Sequence, residues 1–301
     1  MRIGLRDSNH PGSEGFTLVE MVVTLSILAV VMTVMFAVLI SQQKSFAVQG
    51  DRAEVRKNLL HGIDVLEKEV RNGGGGLSPR TMVRVPVAGA DGFHVLLASG
   101  LGVSDGGSGG PDSLAVARVL SPPVRLTRGM EAASSALTVG AGIRWNPGTL
   151  AMISDGTDAE IFRVTRVDGG TILRQEGGGI FREGLSKPYA EGASVSRILL
   201  SVFAVDVPGG PGLPALVRRE IGQDGNLQVR TVAEGISDLQ VRWMMPDGSE
   251  QDAGRFRSDP TGVQRAVGVR IRLVSRGRIA GESRAQEMDA AVGLRNRGSA
   301  L

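Results

Sequence analysis

Met21–Ile40 reads MVVTLSILAVVMTVMFAVLI, an uncharged run interrupted only by Thr24, Ser26 and Thr33. As a helix rising about 1.5 Å per residue it covers about 30 Å, the hydrocarbon thickness of a bilayer. Glu20 stands at its edge. Beyond Ile40 the pattern changes period without a breaker. Val55, Leu59, Ile63, Leu66 and Val70 recur at three- and four-residue spacing, the apolar stripe of an amphipathic helix. Asp64–Lys68 and Glu67–Arg71 place an acid four residues before a base, each pair worth a few tenths of a kcal/mol. Gly50 and Gly62 weaken such a helix by about 1 kcal/mol each and mark candidate bends. Asn72 and the run Gly73–Gly76 stop it. The pattern predicts one helix from about Phe16 to Asn72, longer than about 80 Å at that rise.

The period then shifts to two. Leu114–Ala117 precedes a Pro122-Pro123 break, and Ile161–Val167 runs into an Asp168-Gly169-Gly170 turn followed by Thr171-Ile172-Leu173. Val195–Val207 reads as one buried strand or two. Leu227, Val229 and Thr231 alternate with Gln228 and Arg230. Leu239, Val241, Trp243 and Met245 share a face before Pro246-Asp247-Gly248, and Val267, Val269, Ile271 and Leu273 oppose Arg270 and Arg272. These are half-buried antiparallel strands with one wet face.

Composition agrees with strands and turns. Hydrophobic content is 42% but aromatics only 4%, with 43 glycines, so a core must be built from Val, Leu, Ile and Ala between many turns. The 301 residues suffice for one or two domains with such a core. The absence of cysteine excludes disulfides and Cys-ligated metal sites. A net charge of +3, with one tyrosine and two tryptophans, argues against a nucleic-acid surface, which interleaves cations with stacking aromatics. The basic residues between Arg255 and Arg297 read instead as solvated arginines on exposed strand faces.

The apolar run is too long for a secretory signal, and SQQKSFAVQG after it offers no A-x-A cleavage site. A plain anchor leaves the preceding GFTLVE unexplained. Those residues, Gly15-Phe16-Thr17-Leu18-Val19-Glu20 before the apolar run, resemble the class III signal of type IV prepilins and pseudopilins. The resemblance implies that a membrane-embedded aspartyl peptidase cuts between Gly15 and Phe16 and methylates the new Phe16 terminus. It also implies that Glu20 meets the terminal amine of a neighbouring subunit during assembly. A carboxylate at the edge of hydrocarbon costs a few kcal/mol unless neutralised or paired, which makes such a pairing intelligible. Without the motif, Glu20 would read as a residue resting at headgroup level.

Three departures accompany the match. Glu14 stands where many leaders carry Lys or Arg, and Ala37 where many major pilins carry a helix-kinking proline. Arg2 and Arg6 are offset by Asp7 and Glu14, while Lys44, Arg52, Arg56 and Lys57 lie beyond the run. Counting positive charges therefore does not set the orientation.

Further along, Arg52–Gly74, Gly212–Arg219, Val232–Trp243 and Ala266–Val274 resemble segments of PilW-like minor pilins. With the N-terminus, the resemblance reaches about half of the chain and leaves residues 81–194 outside it. It implies an α+β fold: a leader (1–15), a transmembrane helix segment (16–40), its amphipathic continuation (41–72), and a β-rich extracytoplasmic domain (77–301) with a pilin-like antiparallel sheet packed on the helix. The implied function is non-catalytic, a minor pilin in type IV pilus assembly, initiation or tip structure. The protein would sit in the inner membrane with its C-terminal domain in the periplasm, then in a filament. Implied partners are the prepilin peptidase, other major and minor pilins contacted through the N-terminal helix, and the inner-membrane assembly platform, with no nucleic acid and no cofactor. The J-like minor pseudopilin of type II secretion shares this layout and is the alternative.

Catalytic patterns give little. Gly102-Val103-Ser104-Asp105-Gly106 matches G-x-S-x-G, the basis for a membrane-anchored hydrolase reading, but it lies in the glycine-rich stretch ASGLGVSDGGSGGP, read as a flexible loop. His10, His61 and His94 all precede Ser104, reversing the Ser–Asp–His order of that motif's fold. Asp105 and Asp112 flank the glycines and could hold calcium at a loop tip, against a default of a solvated loop. His61 is expected on a helix surface and His94 in a strand. There is no G-x-x-x-x-G-K-[ST] and no H-E-x-x-H. The sequence assigns no catalytic residue and no metal ligand.

Overall fold

The computed structural model describes residues 17–75, 77, 81–86, 94–98, 100–107, 109–174, 185–207, 212–221, 226–252, 254, 260–279 and 282–294. One helix, α1 (Leu18–Asn72), runs unbroken through both Gly50 and Gly62. The chain divides into two compact units, residues 1–52 and 53–301. In the first, every large apolar side chain from Leu18 to Ile40 is exposed, and the helix is long and apolar enough to cross a membrane.

The second unit is built from strands: β1 (Met82–Pro86), β2 (His94–Ala98), β3 (Leu101–Ser104), β4 (Ser113–Val119), β5 (Val124–Arg125), β6 (Leu137–Thr138), β7 (Leu150–Ser154), β8 (Asp158–Asp168), β9 (Thr171–Arg174), β10 (Ser194–Asp206), β11 (Ala215–Ile221), β12 (Leu227–Glu234), β13 (Ile236–Met244), β14 (Glu250–Asp252), β15 (Gly268–Ile279) and β16 (Glu282–Gly293). The last four form one antiparallel sheet in the order β14-β13-β15-β16, and the first twelve form the other. A long N-terminal apolar helix with antiparallel sheets is the α+β, pilin-like arrangement expected.

The larger sheet closes on itself. β10 pairs with β4 over Ile198–Phe203 and with β7 over Ser194–Arg197. From β4 the pairings lead through β3, β2, β1 and β8 back to β7. The apolar run expected as one strand or two is thus the single strand β10, Ser194–Asp206, which changes partners along its length. One pairing departs from the antiparallel expectation: β1 runs parallel to β8, with Val83 opposite Ala159. A parallel pair needs a long crossover, and the chain between Pro86 and Asp158 supplies it. Inside the ring, alternate residues of β1, β4, β7, β8 and β10 meet: Val83, Ala115, Ala117, Leu150, Met152, Ala159, Ile161, Ile198 and Leu200. The opposite faces of β7, β8 and β10 present Ile153, Phe162, Val164 and Val195 to a second cluster with Leu137, Ile172 and Tyr189.

A third cluster joins α1 to both sheets. Leu59, Ile63, Leu66 and Val70 pack with Leu114, Phe203 and Leu216 from the larger sheet and with Leu239, Val241, Trp243, Ile271 and Leu273 from the smaller. Gly62 is part of this face. A Cβ there would meet Leu273 Cδ1 at 2.8 Å and Leu216 Cδ2 at 3.5 Å, so the residue permits close approach rather than marking a bend. The helix ends under the β3–β4 hairpin: the Gly74 amide donates to Ala117 O (2.9 Å), and the Ala117 amide to Gly100 O (2.7 Å). Gly100 has φ +81°, and a Cβ on it would fall 2.6 Å from the Gly74 backbone.

Two strands differ from their patterns. Leu227–Thr231 is exposed on both faces, because β12 is the outermost strand of its sheet and no described residue packs over that end. Val267, read as core-facing, is 43% exposed just before β15, whereas Val269, Ile271 and Leu273 are buried. The expected i,i+4 ion pairs of α1 are present, Lys68–Asp64 and Arg71–Glu67, each at 2.6 Å.

The glycines give a contrast open to measurement. Gly100→Ala is expected to destabilise the protein by about 1–3 kcal/mol, from overpacking against backbone at a left-handed φ. Gly50→Ala, with nothing within 4 Å of the new carbon, is expected to be neutral or to stabilise by up to about 1 kcal/mol. Denaturant titration of the detergent-solubilised protein with both variants separates the two.

Candidate functional site

The first turn of α1 is set by its own side chains. Thr17 precedes the helix, and its Oγ1 accepts the Glu20 amide at 3.3 Å, which satisfies one of the donors left open at a helix start. The sequence Thr17-Leu18-Val19-Glu20 is thus an S/T-x-x-E capping pattern, a local role for the segment that the motif reading had not identified. Glu20 lies in that first turn and is exposed. There the partial positive charge of the helix terminus favours a carboxylate. Gly15 and Phe16, the expected cleavage and methylation positions, lie outside the described residues.

Downstream, the polar interruptions of the apolar run are satisfied within the helix. Thr24 Oγ1 donates to Glu20 O (2.7 Å), Ser26 Oγ to Val22 O (2.7 Å) and Thr33 Oγ1 to Ala29 O (2.8 Å). Back-bonding to the carbonyl four residues earlier leaves no hydroxyl that must seek water. That is the condition for placing this segment in lipid. This segment is apolar on all sides and exposed along its length among the described residues, a surface that calls for a partner. The segment can be buried in a bilayer or against other helices.

The other candidates resolve into structural roles. Leu101–Ser104 is strand β3, hairpinned to β4 with Ser104 opposite Ser113, not the flexible loop expected. It therefore lacks the strand–turn–helix setting of a nucleophile elbow. His61 is exposed on α1, and His94 begins β2 with its side chain outside the description.

The glycine-rich loop is exposed at Gly106, Gly107, Gly109 and Pro111, as expected, but is anchored at its end. Asp112 is 6% exposed; its carboxylate accepts the Val241 amide at 2.8 Å and the Gly106 amide at 3.1 Å. Its own amide donates to Leu239 O (2.7 Å), and Gln240 Nε2 donates to Gly110 O (3.0 Å). The loop thereby completes the edge of β13 and ties the two sheets together. Burial pushes the Asp112 carboxyl above its ordinary value; the two amides oppose this, while Asp105 and Asp238 add repulsion. Among the described residues no group of three or more His, Asp or Glu could hold a metal ion.

Glu160, 6% exposed, accepts the Ser186 amide and Ser186 Oγ (both 2.7 Å) and Tyr189 Oη (3.0 Å). Burial, reinforced by this carboxylate, raises the Tyr189 phenol well above its ordinary range. Lys187 bridges Asp155 (2.7 Å) and Asp158 (2.9 Å). These bonds anchor residues 185–189 to β8.

On the outer face of the smaller sheet, Arg242, Arg270 and Arg272 pair with Asp252 (3.0 Å), Glu250 (2.6 Å) and Asp289 (2.9 Å). The arginine-rich strands thus carry a compensated face, where simple solvation was expected.

Residues 11–36 match the prokaryotic N-terminal methylation motif. The chain matches no curated protein and no solved structure. The motif, placed over the capped start of a bare apolar helix, supports a type IV pilin-like protein in pilus or secretion assembly.

Asp112 generates a prediction of defined sign. Its folded-state pKa lies above the unfolded one, so its contribution is full at low pH and is lost as pH rises through the raised value. Asp112→Asn is expected to flatten that fall. Melting temperatures of the wild type and variant across the acidic range measure it as the difference between the two curves.

Proposed function

We propose that this chain is a PilW-like minor pilin, cut after Gly15, methylated at Phe16 and built into a type IV pilus through its N-terminal helix. The observation that carries the reading is Glu20, held in the capped first turn of a helix whose large apolar side chains from Leu18 to Ile40 are all exposed, within a matched methylation motif. Cleavage before Phe16 creates a positive amine about one helical turn from Glu20. Supplied by a neighbouring subunit, the same group neutralises the carboxylate where hydrocarbon begins. Docking is then favoured only in the register that brings the two charges together. The helix traverses the inner membrane with the β-domain in the periplasm, and the prepilin peptidase, the assembly platform and other pilins are its partners. The protein works by assembly and contact, without chemistry of its own.

A J-like minor pseudopilin of type II secretion is the second reading, favoured by the Gly235–Leu239 strand entry that it shares. Loss of twitching in a deletion strain supports the pilus, and loss of protein export supports the pseudopilus.

The mass of the mature N-terminus tests processing: a chain starting at methylated Phe16 is expected in cells with an active prepilin peptidase, and an intact Met1 start refutes the reading. Glu20→Ala is expected to remain in the membrane but to drop out of sheared filaments by tenfold or more, corresponding to roughly 1.4 kcal/mol of lost docking energy. Ser104→Ala is expected to leave every phenotype unchanged, whereas any loss of an activity would revive a hydrolase.

A further inference from the structure

The closed ring of the larger sheet has a mouth, and the mouth holds a cavity of about 520 Å³, within the range of small-molecule sites. Its floor is apolar, from Leu77 and Met152, and Pro122 and Pro123 form part of its rim. Its wall is a set of hydroxyls: Thr81, Ser121, Ser154, Ser194 and Ser196. Every described lining residue is uncharged and none is aromatic.

Most of these hydroxyls are partly committed. Thr81 Oγ1 donates to Gly156 O, Ser154 Oγ to Asp158 O and Ser194 Oγ to Ser154 O, while Ser121 Oγ accepts the Arg197 amide. A hydroxyl has one donor and two acceptor positions, so Ser121 keeps its proton, and Thr81 and Ser194 keep acceptor capacity. Ser196 differs. It is 5% exposed and lines the cavity, yet its Oγ has no hydrogen-bond partner among the described residues. That hydroxyl is therefore free to bond a ligand in the cavity.

The backbone around the mouth is already used. Ser194 and Ser196 pair with Ser154 and Met152 across β7, and Ser194 with Arg125 across β5. The Leu120 amide donates to Arg197 O, and the Val119 amide to Gly75 O. A peptide adding itself as a strand would find no free edge there. The grip must come from side-chain hydroxyls, which offer both donors and acceptors but no charge.

We propose that this cavity binds a neutral polyhydroxylated ligand, a mono- or disaccharide unit, with Ser196 as its deepest hydrogen-bonding contact. The hydroxyl wall meets the sugar's hydroxyl edge, and Leu77, Met152 and the two prolines meet its C–H face. Without a stacking ring or an ion pair, the affinity of a single sugar is millimolar.

The test uses the full mature chain, labelled at the methionine methyl groups and held in micelles of a detergent that contains no sugar. Neutral methyl hexosides are titrated to ~50 mM, well above a millimolar dissociation constant. The Met152 methyl signal is expected to move saturably while that of Met245, packed in the helix–sheet core, stays in place. Glucuronate is expected to bind no more tightly than its neutral counterpart. Ser196→Val should weaken the sugar about tenfold, the loss of one buried hydrogen bond. An unmoved Met152 signal, an equal response in Ser196→Val, or a response only to peptide would overturn the proposal. Should the Met245 signal show that Ser196→Val misfolds, Ser121→Ala at the rim serves instead, and an unchanged titration there has the same meaning.

Discussion

Leu59, Ile63, Leu66 and Val70 pack with side chains of both sheets, and each is nearly sealed from water. Burial of such a residue contributes about 1.5–3 kcal/mol, against tenths for each exposed ion pair on the same helix. The stripe works because Gly62 lies within it and the sheets come close: Leu273 of one and Leu216 and Ala233 of the other all lie within 4 Å of where a Cβ would be. Asn58 and Glu69 extend the contact at its margins, the first by donating to Glu234 O and the second by pairing with Arg218 at 3.4 Å. The β-domain is organised around half a helix.

The other half obeys a different constraint. From Leu18 to Ile40 α1 has no stripe, being apolar all round, and its hydroxyls fold back onto its own carbonyls. A segment so exposed among the described residues is one that lipid or other helices can cover. That is the physical content of the methylation motif's position. It lies at the start of a stretch whose burial depends on something else, and the acid of that stretch, Glu20, stands where the surroundings change.

Between helix and smaller sheet the chain inserts a ring of strands with its own interior. Ring closure depends on β10, which exchanges β7 for β4 and β11 along its length, and on the parallel contact of β1 with β8. Both leave β7 and β8 buried on two faces, which removes sheet edges that would otherwise be open to association. The cost of closure is a mouth where Ser194 and Ser196 replace the aliphatic residues found deeper along the same strand, Ile198 and Leu200.

Local pattern determined a good deal. The helix was legible as a change from uniform to amphipathic, β8 and β9 as alternation around Asp168-Gly169-Gly170, and β13 and β15 as one-sided apolar strands, because period and turn chemistry are properties of neighbouring residues. The capping role of Thr17 could also have been read from Thr-x-x-Glu. What tertiary structure decided are matters of who meets whom. Nothing near Gly62 in sequence announces Leu273, nothing near Asp112 announces the Val241 amide, and nothing near Ser196 announces that its hydroxyl will face a cavity. Alternation says that two faces exist; only the closure of β10 against β4 and β7 says which face becomes the inside of a ring. Those contacts join residues tens to hundreds of positions apart, and no local period carries that information.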